Sequence, residues 1–387
     1  FLNYLLGLSD GIQKDANWAA EICDIPENEI RELARRMVSN RTMISVSWSL
    51  TRQDHGEQPF WMAIMLASMI GQIGLPGGGF GFGYSATNHI GGQFTILPGA
   101  AFPQAKNEIE NFIPVARISD LLLKPNENFN FDGKKYKYPD TKIVYWAGGN
   151  PFHHHQDLNR LIKAWEKPDT IICNEWCWNT LAKRSDIVLP CTTPLERKDI
   201  MMTPRDPYVV SMSKLVDPYG QARNDYEIFT GIAKKMGVEK KFTESRNQEE
   251  WQEWIYNQTF DRAAAANIKI PTYKKFREDG WFKVRDPKEP TIMLKDFRKD
   301  PVKNALATPS GKIEIFSKTV SDFGYDDCPG HPVWLEPCEW LGKKNKIYPI
   351  HLISNQPKDK LHSQIDHGKY SKSLKINGRE PLEINPK

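Results

Sequence analysis

The fold is decided by residues 142–151, which read KIVYWAGGNP. The apolar run 143–147 predicts a buried strand, because a short apolar run that ends on turn residues is typical of parallel sheets. The two glycines that follow let the backbone turn sharply and approach a ligand closely. Ligands of open α/β sheets bind at the carboxyl ends of the strands. The stretch therefore predicts a ligand site directly after this strand.

Strands and helices alternate downstream of this stretch. Helical spacing predicts a helix over 157–166, and apolar runs predict strands over 170–173 and 186–190. A short helix over 179–184 separates these two strands, and an amphipathic helix is predicted over 226–236. Such alternation predicts a doubly wound, mostly parallel sheet and places the chain in the α/β class.

The N-terminal part shows the same alternation more loosely. The sequence predicts a helix over 26–38, a buried strand over 42–48 and an apolar helix over 59–71. The unit at 42–73 therefore loosely resembles the unit at 142–166. We expect two α/β units in the chain.

Several segments carry weaker signals. Residues 74–81, GLPGGGFG, are too rich in glycine for regular structure, and we expect them to be irregular. Residues 82–138 are also predicted to be largely irregular, with one helical piece near 114–124. Residues 239–300 are charged and rich in Trp, and no element is predicted there. A strand over 348–353 is expected to begin a new domain.

Composition excludes several classes of protein. The chain has 387 residues, 40% hydrophobic and 26% charged, which is the mixture of a globular protein with two or three domains. The net charge of +4 and the absence of a basic tail argue against nucleic-acid binding. The most apolar window, residues 61–70, is half as long as a membrane span, so a buried helix is predicted. The six cysteines include one close pair, Cys173 and Cys177, and we predict that none is a metal ligand.

The loop after the decisive strand carries polar side chains. Asn150 offers both a donor and an acceptor, and three consecutive histidines, residues 153–155, follow it. Adjacent histidines cannot converge on one metal ion, so a metal cluster is not expected. We expect either that one of them contacts a polar or anionic ligand or that all three lie on the surface.

Acidic and basic residues follow the neighbouring strands. Glu175, at the end of the next strand, is placed to accept hydrogen bonds from a ribose or a base, or else it is a helix-cap carboxylate. Arg197 suits a phosphate or a surface salt bridge. Asp225 suits the two N–H donors of a guanine or a helix cap. The pattern lacks G-x-G-x-x-G, which argues against a nicotinamide dehydrogenase.

Five blocks of sequence, taken together, resemble the molybdopterin oxidoreductases. The blocks are WSLTRQDHGEQ at 48–58, IGLPGGGFG at 73–81, WAGGNPFHHHQD at 146–157, SDIVLPCTTPLER at 185–197 and LHSQ at 361–364. The resemblance is strongest to the dimethyl sulfoxide reductase family, in the branch of trimethylamine N-oxide, biotin sulfoxide and methionine sulfoxide reductases. It extends over essentially the whole chain.

The resemblance implies one molybdenum held by two molybdopterin guanine dinucleotides, and it implies a set of contacts to that cofactor. The matching residues are Trp48, Ser49, Arg52, Asn150, His154, Asn174, Glu175, Arg197, Asp225, Ser354, Asn355, Gln356, Pro357, Lys360 and His362. Glu175 stands where close relatives often have Asp, and Gln356 and Lys360 replace the His and Arg of some relatives. The serine that binds the metal is expected upstream of this chain, so no catalytic residue is assigned within it.

The resemblance also implies an activity and its partners. The family removes an oxygen atom from a small S-oxide or N-oxide, with electrons from a c-type cytochrome or another redox protein. We expect a bacterial enzyme of anaerobic respiration without a membrane span, in the periplasm or alternatively in the cytoplasm. Formate dehydrogenase or nitrate reductase chemistry, and a non-catalytic scaffold of the same fold, are the alternatives.

The domain layout follows from these elements. We expect residues 1–97 to be the C-terminal part of one dinucleotide-binding-like α/β domain and 98–138 an irregular connection. Residues 139–345 would form a second such domain, and 346–387 would begin a β-rich domain that binds the molybdopterin dinucleotide. No signal peptide is predicted in the stretch from Phe1, and the chain is expected to be a fragment that is inactive alone.

Overall fold

The strand predicted over 143–147 is one edge of a three-stranded parallel sheet in the computed structural model of the protein. The structure describes residues 1–84, 86–104, 106–109, 111–285, 289–340, 342, 350–361 and 365–384. Its β-strands are β1 (Met43–Val46), β2 (Gly79–Phe82), β3 (Asn128–Phe131), β4 (Lys134–Lys137), β5 (Ile143–Ala147), β6 (Thr170–Glu175), β7 (Ile187–Pro190), β8 (Asp199–Met202), β9 (Tyr208–Met212) and β10 (Trp281–Lys283).

The helices confirm the alternation predicted from the sequence. They are α1 (Leu2–Leu5), α2 (Ala16–Cys23), α3 (Glu27–Ser39), α4 (Glu57–Met69), α5 (Ile118–Leu123), α6 (Pro151–His154), α7 (Leu158–Trp165), α8 (Asp225–Lys235), α9 (Glu239–Thr243), α10 (Gln248–Ala265), α11 (Tyr273–Asp279), α12 (Lys295–Lys299), α13 (Lys318–Ser321) and α14 (Lys369–Ser373). Short 3₁₀ helices lie at Trp48–Arg52, Val115–Arg117, Ala182–Arg184 and Pro194–Glu196. Across the described ranges, no helix combines the length and the apolar character that a bilayer crossing needs.

Two parallel sheets confirm the α/β class. Strands β5, β6 and β7 pair in that order, and β1 pairs with β2. A helix lies between β1 and β2 and between β5 and β6, and a loop with a 3₁₀ turn lies between β6 and β7, so each parallel pair is joined by a crossover connection. Two antiparallel sheets, β3–β4 and β10–β9–β8, accompany them. The domain boundaries stay predictions.

The largest apolar core lies between the β5–β6–β7 sheet and helices α5 and α7. Leu161 and Ala164 of α7 are fully buried there, and Leu122 of α5 and Cys173 of β6 pack in the same cluster. The spacing of three residues between Leu161 and Ala164 puts both side chains on one face of α7. This core therefore holds α5 and α7 against the sheet.

The expectation that residues 74–81 are irregular is confirmed for 74–78 and was wrong for 79–81, because β2 begins at Gly79 and pairs in register with β1. Gly79 N donates to Thr42 O at 3.0 Å, and its φ of +91° is a conformation that favours glycine. A Cβ at Gly79 would stand 3.2 Å from Ile73 Cα, so the strand is rich in glycine because another backbone segment lies against it. The glycines therefore mark close packing here.

Other expectations need correction. Residues 82–138 hold the β3–β4 hairpin, which pairs Asn128 with Lys137, besides the predicted helical piece at α5. The short helix predicted over 179–184 is a 3₁₀ turn at Ala182–Arg184. The strand predicted over 348–353 does not form within its described part, since residues 350–353 have no strand structure.

Replacing Leu161 with Ala should lower the free energy of unfolding by about 3 kcal/mol, because the change leaves a cavity in the main core. Leu158→Ala on the same helix is the matched control, since that side chain is 42% exposed and should cost about 1 kcal/mol or less. Urea midpoints measure both. Equal shifts for the two variants would mean that this cluster does not hold the sheet.

Candidate functional site

A cleft opens at the carboxyl edge of the β5–β6–β7 sheet. Its volume is about 460 Å³, within the range of small-molecule sites. The residues that line it are Gly148, Gly149, Asn150, His154, Asn174, Glu175, Trp176, Cys177, Asn179, Cys191, Thr192, Thr193, Pro194, Arg197, Asp225 and Ile365. Six of the predicted site residues are in this set: Asn150, His154, Asn174, Glu175, Arg197 and Asp225.

The loop after β5 forms one wall of the cleft. Gly148 and Gly149 have φ angles of +82° and +81°, so the tight turn requires glycine at both positions. Asn150 is 3% exposed and caps α6, with its Oδ1 accepting from Phe152 N at 3.1 Å. This loop therefore presents backbone groups to the cleft on a fixed turn.

Glu175 ends β6 and lies in the floor of the cleft with 8% exposure. Its Oε1 accepts from Trp176 N at 2.9 Å, and its Oε2 accepts from Asn179 Nδ2 at 2.6 Å. Both carboxylate oxygens are thus oriented by the turn that follows the strand, while the residue still lines the cleft. Glu175 is therefore a turn carboxylate and not the helix cap considered from the sequence, and its contact with a ligand stays a prediction.

Asp225 is the first residue of α8, and Asn224 caps that helix. Asp225 Oδ1 accepts from Asn174 Nδ2 at 2.8 Å, and Asn174 Oδ1 accepts from the Tyr145 hydroxyl at 2.7 Å. Asn174 is 3% exposed and ends its strand beside Glu175. Two carboxylates and an amide therefore meet in one part of the cleft.

Arg197 follows the 3₁₀ turn at residues 194–196 and lines the cleft. Its Nη1 donates to Thr192 O at 2.8 Å, and its Nε is 3.3 Å from Asp199 Oδ2. Thr193 and Glu196 form a reciprocal capping box that holds the turn. Arg197 therefore makes the salt bridge considered from the sequence and also brings positive charge to the cleft.

Trp48, Ser49 and Arg52 lie on the 3₁₀ helix after β1, outside the set of lining residues. Arg52 Nη1 donates to His154 O at 2.9 Å, which joins the strand exits of the two α/β units. Burial, together with the charge of Arg52, lowers the pKa of His155. The Trp48 ring is 55% exposed and lies 4.8 Å from the Phe82 ring, and Ser49 pairs with the Ser47 hydroxyl.

The cofactor contacts predicted in the C-terminal part of the chain do not line the cleft where the structure describes them. Ser354, Asn355 and Gln356 are exposed, Pro357 is partly buried, and none of the four lines the cleft. Lys360 also lies outside the lining set, and its ammonium forms an ion cluster with Asp366, Glu380 and Lys375. His362 lies outside the described residues.

The ion cluster and the segment beside it were not predicted. Lys360 is 2.7 Å from Asp366, and Lys375 is 2.8 Å from the same oxygen, which together lower the pKa of Asp366 to about 2. Ile365 lines the cleft, and the His367 ring lies 5.3 Å from the Trp176 ring. The C-terminal segment thus reaches the cleft through residues 365–367.

Sequence reasoning also missed the thiols of the cleft. Cys177 and Cys191 line it, and burial raises the pKa of the Cys191 thiol to about 12, with the negative charges of Asp225 and Glu175 adding to the rise. Cys191 directly follows the end of β7, which is the positional signal that marks it. Within the described ranges, His, Cys, Asp and Glu side chains form no group suited to hold a metal ion.

The donor set of the cleft fits one nucleotide end of a larger cofactor. Arg197 supplies positive charge for a phosphate, and the carboxylates of Glu175 and Asp225 accept from N–H or O–H groups. The paired glycines leave space for close approach, because a Cβ at Gly148 would have no atom within 4 Å. A volume near 460 Å³ holds a single nucleotide, not a complete pair of dinucleotides.

The family is shown by comparison with known proteins. Residues 13–235 match the model of the molybdopterin oxidoreductases, and the chain belongs to that family. Family membership implies a molybdenum–pterin cofactor. The α/β class and the cleft at the sheet edge are consistent with this assignment, and the contact role of each site residue stays a prediction.

Three individual relatives are similar to this chain over its whole length. The chain is 44% identical to a dimethyl sulfoxide/trimethylamine N-oxide reductase and to a biotin sulfoxide reductase, both from Cereibacter sphaeroides, and to a trimethylamine-N-oxide reductase from Haemophilus influenzae. All of this chain is covered, against 48%, 52% and 49% of those proteins respectively, so the chain spans about half the length of the curated relatives it matches. Acetylene hydratase from Pelobacter acetylenicus is a distant structural neighbour, with 20% identity and a TM-score of 0.38 over 52% of this chain and 25% of that one.

Asp225→Asn should make Cys191 react faster with iodoacetamide at pH 9. The substitution removes a negative charge that raises the pKa of the thiol, so more thiolate forms, although burial keeps the pKa above its ordinary value. Peptide mass spectrometry across pH 7–11 measures the profile. Asp217→Asn, at an exposed aspartate paired with Lys214, is the control, and superimposable profiles for the two variants would contradict the expectation.

Proposed function

We propose that the protein is a molybdenum-dependent reductase that removes the oxygen atom from a small S-oxide or N-oxide. The observation that carries this proposal is the 44% identity, over the whole chain, to relatives named as reductases of dimethyl sulfoxide, trimethylamine N-oxide and biotin sulfoxide. The candidate substrates are these oxides and methionine sulfoxide. Two electrons and two protons convert the oxide to its reduced form and water.

The cofactor of this proposal is the bis(molybdopterin guanine dinucleotide) form of molybdenum. The acceptors in the cleft support the guanine assignment, because a carboxylate pairs well with two neighbouring N–H donors and Asp225 lines the cleft. Arg197 would hold a phosphate, and Glu175 would accept from a ribose hydroxyl. These roles use groups whose orientation is already set by protein hydrogen bonds.

When bound, the molybdenum–pterin group supplies the two-electron redox chemistry, and the residues of this chain bind and orient it. Asn150 would donate to the pterin or phosphate part from the turn after β5, next to His154. Arg52 would contribute positive charge from the facing α/β unit, held through its hydrogen bond to His154 O. Trp48 and Ser49 would contact the cofactor next to Arg52.

The remaining roles concern parts of the cofactor beyond the cleft. The segment 354–357, with Lys360 and His362, is proposed to contact the second dinucleotide. Lys360 would do so only by exchanging one of its ion pairs, with Asp366 or Glu380, for the ligand. The ligand of the metal is proposed to be a serine in the part of the relatives that this chain does not span.

The physiological setting is proposed by analogy with this branch of the family. Electrons would come from a c-type cytochrome or another redox protein, and the reaction would serve anaerobic respiration in the bacterial periplasm, with the cytoplasm as the alternative. Fractionation of the native cells, followed by immunodetection of the protein, distinguishes the two compartments.

The intact protein, purified with its cofactor, should oxidise a reduced viologen dye when trimethylamine N-oxide, dimethyl sulfoxide, biotin sulfoxide or methionine sulfoxide is supplied. Growth without molybdate or tungstate should abolish this turnover and leave the protein folded. Formate oxidation or nitrate reduction in the same assay, without reduction of any oxide, would contradict the proposal.

Asp225→Ala should lower the amount of guanine nucleotide recovered per protein after acid release of the cofactor. The substitution leaves donors of a buried base unpaired, at a cost of about 1–3 kcal/mol. Asp217→Ala, at an exposed acidic position, is the control. A normal guanine content in Asp225→Ala would remove Asp225 from the site.

Arg197→Ala should lower the same nucleotide content by a similar amount, because a phosphate would lose its charged partner. Lys198→Ala is the matched control, since the neighbouring Lys198 pairs with Glu249 on the surface. Unchanged nucleotide content in Arg197→Ala would leave the salt bridge to Asp199 as the role of Arg197.

A further inference from the structure

A chain of hydrogen bonds crosses three elements behind the cleft. It runs from Tyr145 on β5 through Asn174 on β6 to Asp225 at the start of α8. The two distances are 2.7 Å from the Tyr145 hydroxyl to Asn174 Oδ1 and 2.8 Å from Asn174 Nδ2 to Asp225 Oδ1. Tyr145 does not line the cleft, although Asn174 and Asp225 do.

The chemistry of the three groups fixes the direction of every hydrogen bond. An ionised carboxylate only accepts, so the NH₂ group of Asn174 must face Asp225. The carbonyl oxygen of that amide then faces Tyr145, and the phenol must donate its single proton to it. Burial and the nearby charge of Asp225 raise the pKa of Tyr145, which keeps this proton on the phenol.

The chain also sets which oxygen of Asp225 remains for a ligand. One lone pair of Oδ1 accepts from Asn174, and Oδ2 accepts no hydrogen bond from the part of the chain that the structure describes. The backbone of Asp225 is fixed as well, because Asn224 caps α8 and its side chain meets Thr192 and Gln248 at 2.8 Å each. The carboxylate is therefore held at both its backbone and its side chain, and Oδ2 together with the second lone pair of Oδ1 is left for a ligand in the cleft.

We propose that Tyr145 is a positioning residue that acts through Asn174 to aim the Asp225 carboxylate at the two N–H donors of a guanine base, and so sets the selectivity of the cleft for guanine. The inference rests on the proposed function. Guanine presents N1–H and a 2-amino group side by side, and a carboxylate whose plane is fixed accepts from both. Hypoxanthine lacks the 2-amino group, and adenine presents an acceptor at N1, which the carboxylate repels.

Tyr145→Phe tests the role of the hydroxyl with little change in packing, because the ring is kept, and its centroid lies 5.3 Å from that of the tilted Phe229 ring. The intact protein is prepared free of cofactor from cells that cannot make the pterin, and calorimetry measures its affinity for GDP, IDP and ADP. The unaltered protein should bind GDP more tightly than IDP and ADP. In Tyr145→Phe the ratio of GDP to IDP affinity should fall about fivefold, the equivalent of one net hydrogen bond.

Two further variants keep the result interpretable. Tyr226→Phe is the matched control, since the Tyr226 hydroxyl also donates a hydrogen bond within the protein, to Arg246 O at 2.6 Å. This bond does not involve Asn174 or Asp225, so Tyr226→Phe should leave the ratio of GDP to IDP affinity unchanged. Asn174→Ala removes the middle of the chain and should lower the ratio at least as much as Tyr145→Phe. A purely structural role for Tyr145 would weaken GDP and IDP equally and leave the ratio as it was.

The outcomes separate the inference from the proposed function. Failure of the unaltered protein to bind GDP, or to prefer it over ADP, would contradict the guanine site and the inference together. A clear GDP preference in the unaltered protein, with the same GDP to IDP ratio in Tyr145→Phe and Asn174→Ala, would overturn the inference alone. A reduced ratio in both variants, with Tyr226→Phe unchanged, is the expected result.

Discussion

The parallel pairing of β5, β6 and β7 is the constraint on which the cleft depends. Register places Ala147 beside Asn174 and Glu175 beside Pro190, so the three strand exits open at one edge. A slip of one residue would turn each side chain to the other face of the sheet. Asn174 would then leave Tyr145, and the acceptors of the cleft would separate. Leu161 of α7 shares a buried core with Ile171 and Cys173 of β6, and a slip of the strand would take these two side chains out of that core.

The polar groups of the cleft are ordered by the protein itself. Glu175 is held by the turn after its strand, Arg197 by Thr192 O, and Asp225 by Asn174. A group that is already fixed loses little conformational freedom on binding, so more of its interaction energy remains for the ligand. The salt bridge considered for Arg197 is present, whereas neither Glu175 nor Asp225 is a helix cap, since Asn224 caps α8. These local contacts fix the groups of the cleft in place.

Local patterns predicted the elements whose residues carry their own signal. The apolar run 143–147 and the helical spacing of 157–166 correspond to β5 and α7 within a residue or two. The pattern failed where contacts distant in sequence decide the structure. The glycines of β2 predict irregular structure, but Gly79 lies in a strand whose backbone packs closely against Ile73. Residues 350–353, which are apolar except for His351, pair with no strand in the described part of the chain.

The site shows the same division between local and distant causes. Asn150, Glu175 and Asp225 follow or begin regular elements, so their positions along the sequence indicated a shared edge. The bond from Arg52 to His154 O joins residues 102 positions apart, and no local pattern predicts it. That hydrogen bond joins the 3₁₀ helix that follows β1 to helix α6, which follows β5. The chain therefore brings the strand exits of its two α/β units together at Arg52 and His154.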